Sequence, residues 1–360
     1  MRITFILSSL WLSGGVRVVA EYANRLTTRG HQVTLVVPRD TLDPEVLSGL
    51  AHGVSIRQSR VARKSTSNLL DLLCLTWSLA RAVPPSDVIL STHTPTTAVG
   101  LVAGRLLSLG RSVWLFMDYR EMFVGRPFED WLMRHALRWH ERALVLSDYS
   151  RQELSSYLGG HVTVVGLGLS DPELFRPEPL DARSSIDSRR TILFLGDARP
   201  RKGLSDFLRA ADLVYERRKD IKLLIVSKEE CHIESRVPFD YVHRPTRAEL
   251  ARLYAGSHLF VSASWGEGFG LPPLEAMACG TPVVLTDSGG VRDYARHGVN
   301  CLMVPARDPV ALAEAMHCVL GDSALAQRLA TNGPATAAKF TWDRAVDRFE
   351  AGLSDLTEAK

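Results

Sequence analysis

Ser264-Trp265-Gly266-Glu267-Gly268-Phe269-Gly270-Leu271-Pro272-Pro273-Leu274-Glu275 follows the apolar run Leu259-Phe260-Val261-Ser262. The run reads as the end of a buried strand, the glycine-spaced segment as a loop with one carboxylate, and the rest as a helix with a second carboxylate in its first turns. Gly268 and Gly270 let the backbone turn tightly and approach a ligand with no Cβ in the way. Pro272 and Pro273 suit a first helical turn, where no intrahelical N–H bond is lost. Amides around Phe269, Gly270 and Leu271 would then face an anion such as a diphosphate. Glu275, about one turn into the helix, could accept from two vicinal hydroxyls of a ribose. Glu267 precedes the helix, where a group attached to that diphosphate would sit. A carboxylate so placed is repelled by the phosphates, so its presence asks for a function. The bland alternative is an ordinary strand-loop-helix corner with solvated glutamates.

The stretch resembles the E-x-F-G-x-x-x-x-E signature of the retaining nucleotide-sugar glycosyltransferases of family 4, with Glu267, Phe269, Gly270 and Glu275 on the pattern. The resemblance implies an α/β protein of the GT-B fold, two Rossmann-like domains facing each other across a cleft. It also implies transfer with retention of configuration and without a metal. The absence of any D-x-D from the chain agrees with metal independence.

The composition permits this reading. A chain of 360 residues with a 46% hydrophobic fraction can build two domains with sizeable cores. A formal net charge of +3 argues against bulk nucleic-acid binding. Cys74, Cys231, Cys279, Cys301 and Cys318 have no C-x-x-C spacing, so a reduced, cytoplasmic protein without structural zinc is expected. Met1 to Leu7 could open a signal peptide, but Arg17 and Glu21 follow soon on a helical pattern, which fits a buried first strand better. No uninterrupted apolar run reaches spanning length, so the expectation is a soluble protein, peripheral to a membrane at most.

Ile3 to Leu7 and Val33 to Val37 read as buried parallel strands with a helix from Val16 to Thr28 between them and Gly30 as its stop. The intervening Ser8 to Gly15 loop lacks G-x-G-x-x-G, which weakens a dinucleotide reading and with it an oxidoreductase. The resemblance gives Gly14 and Gly15 a place against the donor diphosphate or the acceptor; a flexible turn is the alternative. Arg57, Arg60, Arg63, Lys64 and the residues Ser65 to Asn68 read as a basic polar loop, a solvated surface or an acceptor loop favouring anions. Val88 to Leu90, Val113 to Met117, Ala143 to Leu146 and Val162 to Val165 continue the first sheet. His93 and Asp118 follow two of those strands. Family members commonly carry a histidine at the position of Met117, where it meets the donor's 6-hydroxyl. A thioether offers that hydroxyl almost no hydrogen bond, so a donor lacking it, a 6-deoxyhexose, is the hypothesis. The helix around Phe128 to Trp139 either lies on an anionic membrane or, as the simpler reading has it, puts Trp131, Leu132 and Trp139 in the core.

Domains are expected over 1–168, binding the acceptor, and 169–340, binding the nucleotide sugar, with a helix in 341–360 packing back on the first. Gly196-Asp197-Ala198-Arg199-Pro200-Arg201-Lys202-Gly203 places basic residues between a strand and a helix, the geometry for gripping phosphates. It is similar to the family's G-R-x-x-x-x-K-G. Lys202 matches, while Asp197 stands where the family has arginine, leaving Arg199 or Arg201 to substitute. Val242 lies where relatives hold the base through backbone contacts. The expected activity is transfer from a nucleotide-diphosphate sugar, with no cofactor, to a carbohydrate, lipid or small-molecule acceptor. Glu267, Lys202 and Arg199 are the catalytic candidates. A nucleotide-sugar epimerase or hydrolase of the same fold and a non-catalytic binding protein are the rivals.

Overall fold

The structure, a computed structural model, describes residues 1–63, 69–123, 125–158, 162–178, 189–230 and 232–358. The Lys64 to Asn68 part of the basic segment and residues 179–188 lie outside the described residues. The chain divides into two compact units, Met1–Gly168 with Trp342–Lys360, and Leu169–Thr341.

The first unit holds strands β1 (Arg2–Ile6), β2 (Gln32–Arg39), β3 (Ser55–Ala62), β4 (Val88–Ser91), β5 (Arg111–Phe116), β6 (Arg142–Val145) and β7 (Val162–Val164). They pair in parallel in the order β3-β2-β1-β4-β5-β6-β7. Helices α1 (Gly14–Thr28), α2 (Pro44–Ser48), α3 (Leu69–Ala82), α4 (Thr97–Leu101), α5 (Pro127–Ala136) and α6 (Asp148–Leu158) connect them. Central strands such as β1 and β4 are buried along nearly their whole length, which is why they read as unbroken apolar runs. The strand order reverses between β1 and β4, so the loops after these two strands open at a topological switch point.

The second unit repeats the plan. Strands β8 (Arg190–Leu195), β9 (Ile221–Ser227), β10 (Phe239–His243), β11 (Leu259–Ser262), β12 (Val283–Thr286) and β13 (Leu302–Val304) form a parallel sheet in the order β10-β9-β8-β11-β12-β13. Helices α7 (Leu204–Arg217), α8 (Arg247–Gly256), α9 (Leu271–Ala278), α10 (Pro309–Gly321) and α11 (Ser323–Ala337) accompany it. Its core joins Phe194, Phe207, Ile225, Val261 and Met316. Here too the order reverses, between β8 and β11, and the two motifs singled out in the sequence follow those strands.

The last helix, α12 (Trp342–Glu358), belongs to the first unit. Its Trp342 and Phe349 rings lie 5.1 Å and 4.7 Å from the ring of Tyr22 on α1. Arg29, at the end of α1, donates to Asp347 and Glu350 at 2.6 Å each. Tyr22 Oη donates to the carbonyl of Gly166 at 2.7 Å, tying the end of the first sheet to the same cluster.

Three local expectations need correction. Ser55 to Ala62 is an edge strand, not a loop: among the described residues it pairs only with β2, so Arg57 and Arg60 stand in solvent and hide its periodicity. Gly14 and Gly15 are the first two residues of α1, because Ser13 Oγ caps the Val16 amide at 3.2 Å and starts the helix ahead of its apolar face. On α5, Leu132, Met133 and Ala136 are buried while Trp131 is half exposed and stacks on His135, 4.6 Å between centroids.

His140 is buried between the Ala136 carbonyl and Ser91 Oγ, and burial pushes its imidazole down to about 4. The folded state therefore binds fewer protons than the unfolded chain between that value and the ordinary histidine range. Its contribution is whole above about pH 6.5 and is lost as pH falls toward 4, on the order of 3 kcal/mol. We expect His140→Asn to flatten the urea-midpoint profile between pH 4 and 7. A variant with the wild-type slope would contradict the assignment.

Candidate active site

In the second unit the two glycine-rich turns are built against each other. Gly203 sits at φ +69°, and a Cβ there would fall 2.0 Å from the carbonyl oxygen of Ala263, so only glycine lets the Pro200–Lys202 turn close onto the end of β11. The Trp265 amide donates to the Arg201 carbonyl at 2.8 Å, locking the register of the two loops. Lys202 Nζ thereby reaches Glu267 Oε1 at 2.7 Å, and Ser264 Oγ donates to the same oxygen at 2.8 Å.

The Glu267 backbone is clasped from the other side. Its amide donates to the Ser288 carbonyl at 2.8 Å and its carbonyl accepts from Gly290 at 2.9 Å, an isolated parallel bridge with the loop after β12. Burial alone would raise the Glu267 carboxyl, but the Lys202 ammonium, with Arg201 and Ser264 behind it, holds it below the usual carboxylate range. The acid is ionised, aimed and held.

Gly270, at φ +83°, is the N-cap of α9, and its carbonyl accepts from the buried Tyr294 hydroxyl. Phe269 turns into an aromatic cluster with Tyr294 and Phe340, so its contribution to any ligand is through the backbone. By position, the amides of Gly270 and Leu271 have no intrahelical acceptor, and Pro272 and Pro273 carry none to satisfy.

Asp197 proves to be more than a lost arginine. Its carboxylate takes the Arg199 side chain through Nε and Nη2, with Nε to Oδ1 at 2.7 Å. Burial pushes the Asp197 carboxyl up, and the Arg199 guanidinium more than reverses this. The acid at the family's arginine position thus presents a different arginine, two residues on. Gly196 follows β8, where a Cβ would strike the Phe194 ring at 2.5 Å.

Glu275 departs from the expectation of an open ribose reader. It is 6% exposed; Oε1 accepts from Arg247 Nη1 at 2.8 Å and Oε2 from the Tyr254 hydroxyl at 3.2 Å. Arg247 also donates to Asp171 at 2.9 Å and stands 4.3 Å from the Phe175 ring. Burial pulls the Arg247 guanidinium down, and Glu275 and Asp171 beside it more than reverse this. Val242 lies near the end of the edge strand β10.

In the first unit, Gly15, His93 and Met117 come together. A Cβ on Gly15 would lie 3.2 Å from His93 Nε2 and 3.6 Å from Met117 Cε, while Gly14 has open space. Asp118 does not join them: it is buried, and Oδ2 accepts from the Thr94 amide at 2.6 Å and its hydroxyl at 2.7 Å. It braces the turn that carries His93.

Sequence reasoning missed Ser264, Trp265, Arg247 and Tyr254. Trp265 Nε1 donates to Asp206 at 2.7 Å and its ring lies 4.3 Å from the Arg307 guanidinium, so it struts α7 against the Glu267 loop. A tryptophan inside a glycine-rich loop was the available signal; nothing local pointed to Arg247.

A model described as glycosyl transferases group 1 matches residues 189–322, and one described as glycosyltransferase family 4 matches residues 12–172. The phosphatidyl-myo-inositol mannosyltransferase of Mycobacterium leprae is 27% identical over 95% of this chain and 93% of that protein. A sucrose-phosphate synthase structure from Thermosynechococcus elongatus superposes with TM-score 0.83 at 19% identity, covering 100% of both chains. The Anabaena HepE structure in complex with UDP and glucose gives TM-score 0.79 at 20% identity over 98% of this chain and 99% of that one. The fold is GT-B, two Rossmann-like domains. The chain belongs to the group 1, family 4 glycosyltransferases and is an enzyme of the hexosyltransferase type.

Replacing Lys202 by methionine should release the Glu267 carboxyl to burial and carry its titration above the ordinary carboxylate range. Carboxyl-carbon NMR through a pH series reads this directly. An unchanged titration would remove the ammonium from the account.

Proposed function

We propose that the protein transfers the glycosyl group of a nucleotide-diphosphate sugar to an acceptor hydroxyl with retention of configuration and without a metal. The observation that carries this is the Lys202 ammonium held 2.7 Å from the Glu267 carboxylate between two interlocked glycine turns. A cation, a helix N-terminus and an ionised acid meet there, which suits a diphosphate bearing a sugar.

In this reading Lys202, with Arg199 and Arg201 nearby in the chain, neutralises the departing diphosphate, and the first amides of α9 add to it. The bond between the anomeric carbon and the phosphate oxygen breaks as the acceptor oxygen bonds to that carbon. The acceptor's proton passes to the departing phosphate oxygen on the same face. Glu267 orients the donor sugar and favours the positive charge that develops on it. Glu275 serves the ribose by exchanging a present partner for a hydroxyl, and Val242 lies by the base. Gly14, Gly15, His93 and Met117 serve the transferred sugar or acceptor. The protein works in the cytoplasm; the mannosyltransferase relative, named for phosphatidyl-myo-inositol, supports a polar or lipid-linked acceptor.

The donor is a 6-deoxyhexose. The apolar Met117 Cε beside Gly15 supports this, since an unpaired buried hydroxyl costs about 1 to 3 kcal/mol and a methyl group loses nothing there. His93 shares the spot and is the competing hydrogen-bonding group.

With a panel of nucleotide sugars and candidate acceptors, we expect acceptor-dependent transfer, with 6-deoxy donors preferred about tenfold or more. Met117→His should shift preference toward 6-hydroxyl donors. Glu267→Ala should lower transfer at least a hundredfold while donor binding persists. Product release from donor alone would favour the epimerase or hydrolase reading, and wild-type preference for glucose or mannose donors would end the 6-deoxy reading.

A further inference from the structure

The turn that follows β4 is tied down by its own side chains. Thr96 Oγ1 accepts from the amides of Thr92 and His93 at 3.0 Å and 3.1 Å and donates to the His93 carbonyl at 2.8 Å. Asp118 takes the amide and the hydroxyl of Thr94, and the Thr97 hydroxyl donates to the Thr94 carbonyl at 2.6 Å. These four threonines are buried, and His93 among them is half-buried. A backbone braced so closely presents the His93 ring in a fixed place.

The tautomer of that ring follows from a chain of bonds. Thr92 Oγ1 lies 2.8 Å from the Ile6 carbonyl oxygen and 3.1 Å from His93 Nδ1. A threonine hydroxyl has one proton and a carbonyl has none to give, so the Thr92 proton is spent on Ile6. Nδ1 is then the donor to Oγ1, which leaves Nε2 of the neutral ring as a bare acceptor. Among the described residues no hydrogen bond reaches Nε2. A Cβ on Gly15 would lie 3.2 Å from it, and Met117 Cε is 3.6 Å from the same point. An acceptor beside a methyl group, facing a glycine that leaves room, is complementary to a hydroxyl carried next to an apolar group. An ionised phosphate oxygen has no proton for Nε2, so Gly15 suits a sugar and not the diphosphate.

We propose that His93 is a specificity-determining residue whose Nε2 accepts a hydrogen bond from the 4-hydroxyl of the transferred sugar. Thr92 is its positioning residue, because it holds the ring proton on Nδ1. The inference rests on the transfer reading, in which Met117 Cε meets C6 of the sugar. C6 is bonded to C5, whose ring neighbours are C4 and the ring oxygen. The ring oxygen has no proton to offer, so the 4-hydroxyl is the nearest donor to Nε2. The donor class thereby narrows to hexoses with an unsubstituted 4-hydroxyl, whatever C6 carries.

Equilibrium binding of dTDP-rhamnose, GDP-fucose, UDP-glucose and GDP-mannose to the full chain, each beside its 4-deoxy counterpart and without acceptor, tests the assignment. We expect every donor that binds to lose about tenfold or more in affinity with its 4-hydroxyl. His93→Leu should abolish that difference, and His93→Gln, which keeps an acceptor oxygen, should restore part of it. The wild type with heavy nitrogen in its histidines gives a second readout that needs no ligand. Proton–nitrogen correlation above the ordinary histidine range should find the His93 proton on Nδ1, and Thr92→Val should move it toward Nε2. A wild-type ring protonated on Nε2, or a 4-deoxy donor bound as tightly as its parent, would overturn the proposal and leave the transfer reading standing. So would a 4-hydroxyl preference that His93→Leu leaves unchanged. A chain that binds none of the four donors would overturn both.

Discussion

A carboxylate enclosed by protein must be paired or become neutral, and Glu267 is paired with Lys202. Most of the second unit's local design serves that contact. The two partners lie on different loops, and a pair so separated is held only if both loops are rigid. Gly203 lets one loop press on Ala263, and the Ser288 to Gly290 segment pins the other by two backbone hydrogen bonds. Trp265 and Tyr294 fill the space beneath with aromatic bulk whose polar atoms are each bonded. The charge pair is therefore set before any ligand arrives, as electrostatic catalysis requires.

The second acid is treated differently. Glu275 is closed in by Arg247 and Tyr254, and Arg247 also holds Asp171 at the start of the unit. Its environment is that of a structural brace. In the first unit the same division appears between Met117, which stands beside Gly15, and Asp118, which is spent on Thr94. Adjacent residues at the end of one strand thus have separate tasks, because successive side chains of an extended chain point opposite ways.

How much of this could be read in advance follows from what is local. The doubly wound sheets were legible because parallel strands buried on both faces, such as Phe5 with its neighbours or Leu259 to Val261, leave continuous apolar runs. The Lys202 and Glu267 loops were legible because glycine, proline and charge sit together within a few residues. Strand β3 was not, since an edge strand with arginines on its free side loses the period that marks a strand. Nor was the Arg247 contact with Glu275, which spans 28 residues and depends on how α8 and α9 pack. The helical state of Gly14 and Gly15 was hidden by their composition and revealed by the Ser13 cap. The bidentate Asp197–Arg199 pair was half legible: the substitution was visible, the compensation was geometric.

The central claim is that the Lys202 turn and the start of α9 bind a nucleoside diphosphate. Thermal denaturation of wild type and Lys202→Met across the common nucleoside diphosphates measures this with no acceptor present. At about a hundredfold excess over Kd, one nucleoside diphosphate should stabilise the wild type by about 2.7 kcal/mol and raise its midpoint accordingly. The Lys202→Met midpoint should move far less. A wild type that no nucleoside diphosphate stabilises, or a variant that responds as the wild type does, would contradict the account.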